Sequence, residues 1–278
     1  MTKQILPLIA SLGLVGSSSA VIVGVEDFSY ADGSIDGRTG GSGFNYDNFD
    51  GEVTSTTSDW DITGGAPTVV SGALVTDNAS AKREYNGDIE GTSAATDGQD
   101  NHERSGAARG NGIVFYSVEL TRSASATWSG ISSYDFGTEK IFFGVTTGGS
   151  GTDTIGISES GVGETSGSLI LADGQSYTLV AVVDFNHDLV GMFIDPDGTS
   201  DFWNPTDGTN NADVTRAYTG TNWSTAARLG SGGQATWDNL TIGMNDPTDV
   251  GLLATAVPEP STLLLGGFGV LALLRRRR

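Results

Sequence analysis

The sequence predicts an all-β protein folded as a two-sheet antiparallel sandwich. Short alternating or β-branched runs bounded by Gly, Asp and Asn recur along the body, and no stretch has the i, i+3, i+4 apolar spacing of an amphipathic helix. The chain has 278 residues, of which 37% are hydrophobic, so it can build a core. At least ten short strands can be read from it. So many strands in one domain must form two sheets that cover each other's apolar faces.

The predicted strands are, in order, Val21 to Phe28, Pro67 to Val75, Gly112 to Thr121, Ala126 to Ser132, Lys140 to Thr146, Thr154 to Ser158, Gln175 to Phe185, Leu189 to Asp195, Ala227 to Gly230 and Ala235 to Ile242. The clearest pair is YTLVAVVDFNHDLVGMFID, Tyr177 to Asp195, where Asn186-His187-Asp188 supplies the polar side chains of a tight turn between two apolar runs. Ile35 to Asp59 and Gly87 to Gly112 are rich in turn-forming residues and are expected to be long loops, the places where function or variation concentrates. No internal repeat is visible, which argues against a solenoid.

Charge and cysteine content narrow the partners. Acidic residues number 34 against 14 basic ones; setting aside Lys3 and Arg275 to Arg278 leaves nine basic residues and a body near −25. That excludes nucleic acid, whose phosphates need a basic footprint. It suits solubility and leaves cation binding open. With no cysteine, the fold must be held by burial and hydrogen bonds.

The N-terminus has the layout of a secretory signal peptide over residues 1–20: Lys3 gives the positive start, Ile5 to Val15 the apolar core, and Ser18-Ser19-Ala20 a small-residue site. Cleavage between Ala20 and Val21 is expected, with the Sec machinery and signal peptidase as first partners. At the other end, VPEPSTLLLGGFGVLALLRRRR spans residues 257–278. Leu263 to Leu274 is uncharged and apolar, short for a bilayer span unless counted from Val257 with the arginines snorkelling. Arg275, Arg276, Arg277 and Arg278 act as the membrane stop and keep the tail end cytoplasmic, which places the body outside.

A triplet Pro258-Glu259-Pro260, an apolar transmembrane helix and an arginine cluster together resemble the PEP-CTERM sorting signal of Gram-negative bacteria. The resemblance implies recognition of Pro258, Glu259 and Pro260 by an exosortase, a membrane transpeptidase-type cysteine protease. It implies an inner-membrane intermediate followed by release to the cell surface or extracellular matrix. An ordinary C-terminal anchor is the plainer alternative, but it has no need of the triplet.

The body carries a second resemblance. VGVEDFSYADGSIDGRTGGSGF, WSGISSYDFGTEKIFFGV, YTLVAVVDFNHDLVGMFIDPDG and ATWDNLTIG resemble concanavalin A-like, laminin G-like jelly rolls. The resemblance implies a jelly-roll β-sandwich over residues 21–243 whose first and last strands, Val21 to Phe28 and Ala235 to Ile242, lie side by side. Residues 244–256 then read as a linker to the membrane.

Three functions fit such a body. Retaining glycoside hydrolysis needs two carboxyls about 5 to 5.5 Å apart, hence acids at even spacing on one strand. The glucanase pattern E-x-D-x-E is missing; Glu26-Asp27 points to opposite faces and Asp195-Pro196-Asp197 reads as a turn. His102 and His187 both fall in predicted loops or turns and have no partners at catalytic or zinc-ligand spacing. A glycan-binding module is the second reading. The jelly-roll resemblance implies calcium at a sheet rim; Asp184, Asn186 and Asp188, in alternating D-x-N-x-D spacing, with Asp195 and Asp197 after them, are the candidate oxygen ligands, and turn duty explains the same residues. Trp60, Trp203 and Trp223 are candidates to stack on sugars, Trp203 with Asn204 foremost, while Trp128 and Trp237 inside strands read as core. The third reading ranks first: a non-catalytic structural or adhesive surface protein, with exopolysaccharide as the partner the sorting signal implies.

Overall fold

A computed structural model describes residues 21–44, 58–85, 112–135, 137–146, 154–218 and 226–255. These residues form an antiparallel jelly-roll sandwich of fourteen strands. The strands are β1 (Val21–Glu26), β2 (Gly33–Ser34), β3 (Trp60–Gly64), β4 (Thr68–Val70), β5 (Ala73–Glu84), β6 (Ile113–Arg122), β7 (Trp128–Asp135), β8 (Thr138–Val145), β9 (Thr154–Glu159), β10 (Gly163–Ile170), β11 (Ser176–Asp184), β12 (Leu189–Ile194), β13 (Val214–Ala217) and β14 (Ala226–Met244).

The two layers share β14. Its first half pairs with β7, and β8, β9 and β10 follow outward to form one sheet. Its second half pairs with β6, followed by β11, β12 and β13, to form the other. β5 lies beside β14 along both halves. The register between them shifts between Ser231 and Gln234, where Gly233 takes φ 102° and a Cβ would lie 2.1 Å from the Ser125 carbonyl. Only glycine fits that bulge, which turns the strand from one sheet into the other.

Inward-facing residues of both sheets meet in one core: Val114, Tyr116, Val118 and Leu120 from β6 lie in the same cluster as Ile141, Phe143 and Val145 from β8. A buried carboxylate ties the entry strand to it. Glu26 Oε2 accepts from Arg83 Nη1 at 2.5 Å, Tyr30 OH at 2.6 Å and Trp60 Nε1 at 3.1 Å. Burial pulls the Arg83 pKa down, and neighbouring Tyr30 and Glu26 oppose that pull. β1 also pairs with β14, Val21 opposite Met244 and Glu26 opposite Leu240, so the first and last strands are adjacent, as the jelly-roll resemblance implies.

Several elements differ from expectation. The runs at 227–230 and 235–242 are one strand, since the bulge bends β14 without ending it. β5 extends through Lys82-Arg83-Glu84, whose charges hide the strand although all three side chains are buried. β10, exposed along most of its length at a sheet edge, has no apolar stripe to announce it. Trp60-Asp61-Ile62-Thr63-Gly64, which follows the expected loop Ile35 to Asp59 and is not among the predicted strands, is strand β3.

Residues 244–253 are not a free linker. Pro247–Val250 forms a 3₁₀ turn whose Asp246 side chain caps Thr248 N. Val250 and Leu252 are buried with Phe115, Phe193 and Trp203 on the outer face of the second sheet. Leu253 N donates to the Asp201 carbonyl at 2.9 Å, and its own carbonyl accepts from Trp203 N at 3.0 Å. Val250 and Leu252 bury on the sheet, so the chain stays packed on the domain at least as far as Leu253.

Candidate functional site

The acidic corner that the sequence favours is a structural joint. Asp184 is fully buried at the end of β11. Its Oδ1 accepts from the backbone N of Asn186 and His187 at 3.0 and 3.1 Å; its Oδ2 accepts from Trp203 Nε1 at 2.8 Å and faces His187 Nδ1 at 2.9 Å. These four partners leave no lone pair for a cation. Trp203, expected as an exposed stacking platform, is completely buried, and its ring lies over Gly191, where a Cβ would be 2.3 Å away. Asn204 accepts from Thr206 N at 3.0 Å and shapes the same loop.

The other candidate ligands for calcium serve turns. Asn186 Oδ1 accepts from Gly112 N at 2.7 Å, Asp188 sits at φ 53°, and Asp195 Oδ1 accepts from Thr178 N at 2.7 Å. Hydrogen bonds from Ser200 and Thr199 hold the Asp197 carboxyl well below the usual carboxylate range. Among the described residues no group of three or more His, Cys, Asp or Glu is arranged to hold a metal ion. Trp60 is also buried, its Nε1 bound to Glu26. Trp237 is core, as expected. Trp223, His102, Ala20, Pro258, Glu259, Pro260 and Arg275 to Arg278 lie outside the described residues, as does the expected membrane helix.

The open site is on the outer face of the first sheet, around Trp128. Strand alternation sends Ile131 of β7 into the core and Trp128, Gly130 and Ser132 outward. A cleft of ≈ 280 Å³ is lined there by Trp128, Glu139, Phe142, Thr146, Ser158, Glu164 and Arg228. Beneath these side chains runs a row of small residues crossing six strands in register: Ser80, Gly230, Gly130, Gly144, Gly156 and Ser166, all but Ser166 buried. Glycine is needed because the aromatic rings lie across it. A Cβ at Gly130 would sit 2.5 Å from Phe142 Cζ, and one at Gly232 2.3 Å from Trp128 Nε1. Trp128 remains half-buried and meets the buried Phe142 edge-on, with centroids 5.9 Å apart. Sequence reasoning assigned Trp128 to the core; the mid-strand glycines at 130, 144, 156 and 230 were the available signal of a close approach over this face.

Charges flank the rings on both sides. Arg228 pairs with Glu139 and donates from Nη2 to Ser132 Oγ at 3.2 Å, and its guanidinium lies 5.3 Å from the Tyr134 ring centroid. Burial, opposed by the charge of Arg228, raises the Tyr134 pKa, and its OH donates to Glu139 Oε2 at 3.4 Å. Glu164 accepts from Thr146 Oγ1 and, at 3.0 Å, from Ser166 Oγ. No Lys or Arg among the described residues pairs with it. The cleft therefore offers an aromatic face, hydroxyls and acceptors, the mixture that suits a polar ring-shaped ligand.

Comparison with known proteins gives one specific match, in the C-terminal segment, beside weakly similar solved structures. Among solved structures, a Trypanosoma rangeli sialidase in complex with 2,3-difluoro-KDN is 12% identical with TM-score 0.45, covering 80% of this chain and 30% of that one. Domain 4 of AbnA, a GH43 extracellular arabinanase from Geobacillus stearothermophilus in complex with arabinotriose, is 12% identical with TM-score 0.42, covering 84% of this chain and 97% of that one. Peanut lectin is 10% identical with TM-score 0.43, covering 67% and 90%. The chain spans only 16% of another similar structure, also a sialidase. Likeness of this size assigns neither family nor activity. No curated protein matches the chain in sequence. Residues 256–278 match the PEP-CTERM protein-sorting motif, and that motif implies an exported protein sorted by an exosortase to the cell surface or beyond.

Proposed function

We propose that this is a non-catalytic, adhesive surface protein that holds a glycan in the Trp128 cleft. The observation that carries the reading is the half-buried Trp128 lining a cleft over a buried row of glycines, met edge-on by Phe142 and flanked by Arg228–Glu139 and Glu164. An indole face stacks on the apolar face of a sugar ring while fixed hydroxyls and carboxylates take its OH groups. At ≈ 280 Å³ the cleft is near the lower bound for ligand pockets, about one ring rather than a large compact ligand.

Two carboxylates in one cleft invite a hydrolytic reading, since glycosidases use such a pair. Here Glu139 is engaged by Arg228, Ser132 and Tyr134, and Glu164 by Thr146 and Ser166, so both act as fixed acceptors. Binding without turnover accounts for that engagement better than catalysis. Export completes the reading: signal peptidase cuts after Ala20, and the segment from Leu263 to Leu274 anchors an inner-membrane intermediate. Exosortase then acts at Pro258-Glu259-Pro260. Because Leu253 is held on the domain, few residues separate the folded body from that motif.

The test is polysaccharide pull-down and release assayed together. Wild type should be retained on a neutral oligosaccharide matrix with no new reducing ends, and Trp128→Ala should pass through; production of reducing ends would replace binding with hydrolysis. Glu259→Ala should stay in the membrane with its tail uncut, and its normal release would sink the sorting step.

A further inference from the structure

Resting on the glycan reading of the cleft, we propose that its ligand is a polymer of cationic amino sugars, with the ammonium group seated against Glu164. The lining contains three charges: Arg228, Glu139 and Glu164. Arg228 and Glu139 neutralise each other in a direct ion pair. Glu164 accepts only from hydroxyls, those of Thr146 and Ser166, so its charge stays uncompensated on the side of the cleft opposite Arg228.

Register places this carboxylate beside the aromatic pair. Glu164 of β10 stands opposite Ser158 of β9, which stands opposite Phe142 of β8, and the carboxylate reaches over β9 to Thr146 at the end of β8. A ligand ring on Trp128 thus has an unpaired carboxylate within reach of one substituent. An aromatic face next to a carboxylate is the arrangement that recognises an organic ammonium, through ring quadrupole and ion pair together. The wider field agrees in sign. A body near −25 repels uronate- or sulfate-bearing polymers and concentrates cationic ones at its surface. Neutral sugars meet the stacking and hydroxyl contacts but cover Glu164 without bringing it a counter-charge, which costs affinity relative to the cation.

The experiment titrates the exported protein, followed by tryptophan fluorescence and calorimetry, with three probes of matched length: a fully deacetylated glucosamine tetramer, its N-acetylated counterpart and tetralysine. The deacetylated tetramer should bind at least tenfold more tightly than the acetylated one, and tetralysine should not compete at equal concentration. In Glu164→Gln, which keeps the size and an acceptor for Thr146, the ratio between the two tetramers should fall to about one. Equal affinity for the tetramers in wild type, a ratio that survives Glu164→Gln, or competition by tetralysine would each overturn the amino-sugar assignment while leaving glycan binding in place. Failure of both tetramers to bind would overturn the glycan reading itself.

Discussion

The molecule contains two tryptophan–carboxylate corners with opposite fates. At Trp203–Asp184 the carboxylate is fully buried, takes four hydrogen-bond donors and holds the hairpin of β11 and β12 to the 203–210 loop. At Trp128–Glu164 the indole is half-exposed, the carboxylate accepts from two hydroxyls, and a cleft lies between them. The difference comes from what covers each sheet. The outer face of the second sheet is covered by Trp203, Val250 and Leu252, which fill the space a ligand would take. Around Trp128 no cluster of the described residues fills the outer face of the first sheet in that way, and a cleft lies there instead. A tryptophan beside an acid is therefore a joint or a site according to what packs over it.

The contrast is sharpest in stability. Trp203→Ala should destabilise by about 3–5 kcal/mol, lowering the melting temperature by roughly 10 °C, because it empties a core cluster and orphans Asp184 Oδ2. A drop below about 1 kcal/mol would break the comparison from the buried side. Gly130→Ala should cost about 1–3 kcal/mol and displace Phe142, since the new methyl meets the Phe143 carbonyl 2.2 Å away. Circular dichroism melting measures both.

Smaller effects test the buried corner's chemistry. His187 Nδ1 faces Asp184 Oδ2 at 2.9 Å and Nε2 faces the Thr206 carbonyl at 3.1 Å, so both ring nitrogens meet acceptors. Partial burial works against the charge, but the bond and charge of Asp184, with Thr206, hold the imidazole pKa above its ordinary value. A raised folded-state pKa adds stability that is complete below about pH 6.5 and fades as pH rises through the folded value. Wild type should thus exceed His187→Gln in stability at pH 6 by more than at pH 8, and a difference independent of pH would contradict the imidazolium. Smallest of all is calcium: with these acidic side chains serving turns, adding it after chelation should leave the melting temperature unchanged. A rise growing with RT ln(1 + [L]/Kd) would restore a metal site.

How far the sequence could see follows the same division. Continuous apolar runs such as LVAVV in YTLVAVVDF made the central strands and the hairpin at Asn186-His187-Asp188 legible, because both faces there are apolar and the turn is polar. β5 escaped because three consecutive charges look exposed, whereas Arg83 is buried against partners distant in sequence, Glu26 and Ser58, and Lys82 pairs with Glu84. Trp203 was misjudged for a similar reason: its polar loop looks exposed, yet the cover over it comes from residues 250 and 252, read as linker. Trp128 was misjudged in reverse, since WSGISSYD does not say which alternate set faces the core. Mid-strand glycines hint at a close approach, but their alignment as Gly230, Gly130, Gly144 and Gly156 across four strands is a matter of register, a property of the assembled sheet.

The most direct measurement compares oligosaccharide affinity in wild type and Trp128→Ala, with melting curves recorded on the same samples. The account predicts that Trp128→Ala loses at least about tenfold in affinity while its stability changes by no more than about 1.5 kcal/mol, as befits a half-exposed ring. Wild-type affinity in Trp128→Ala would contradict it and move the site away from this cleft.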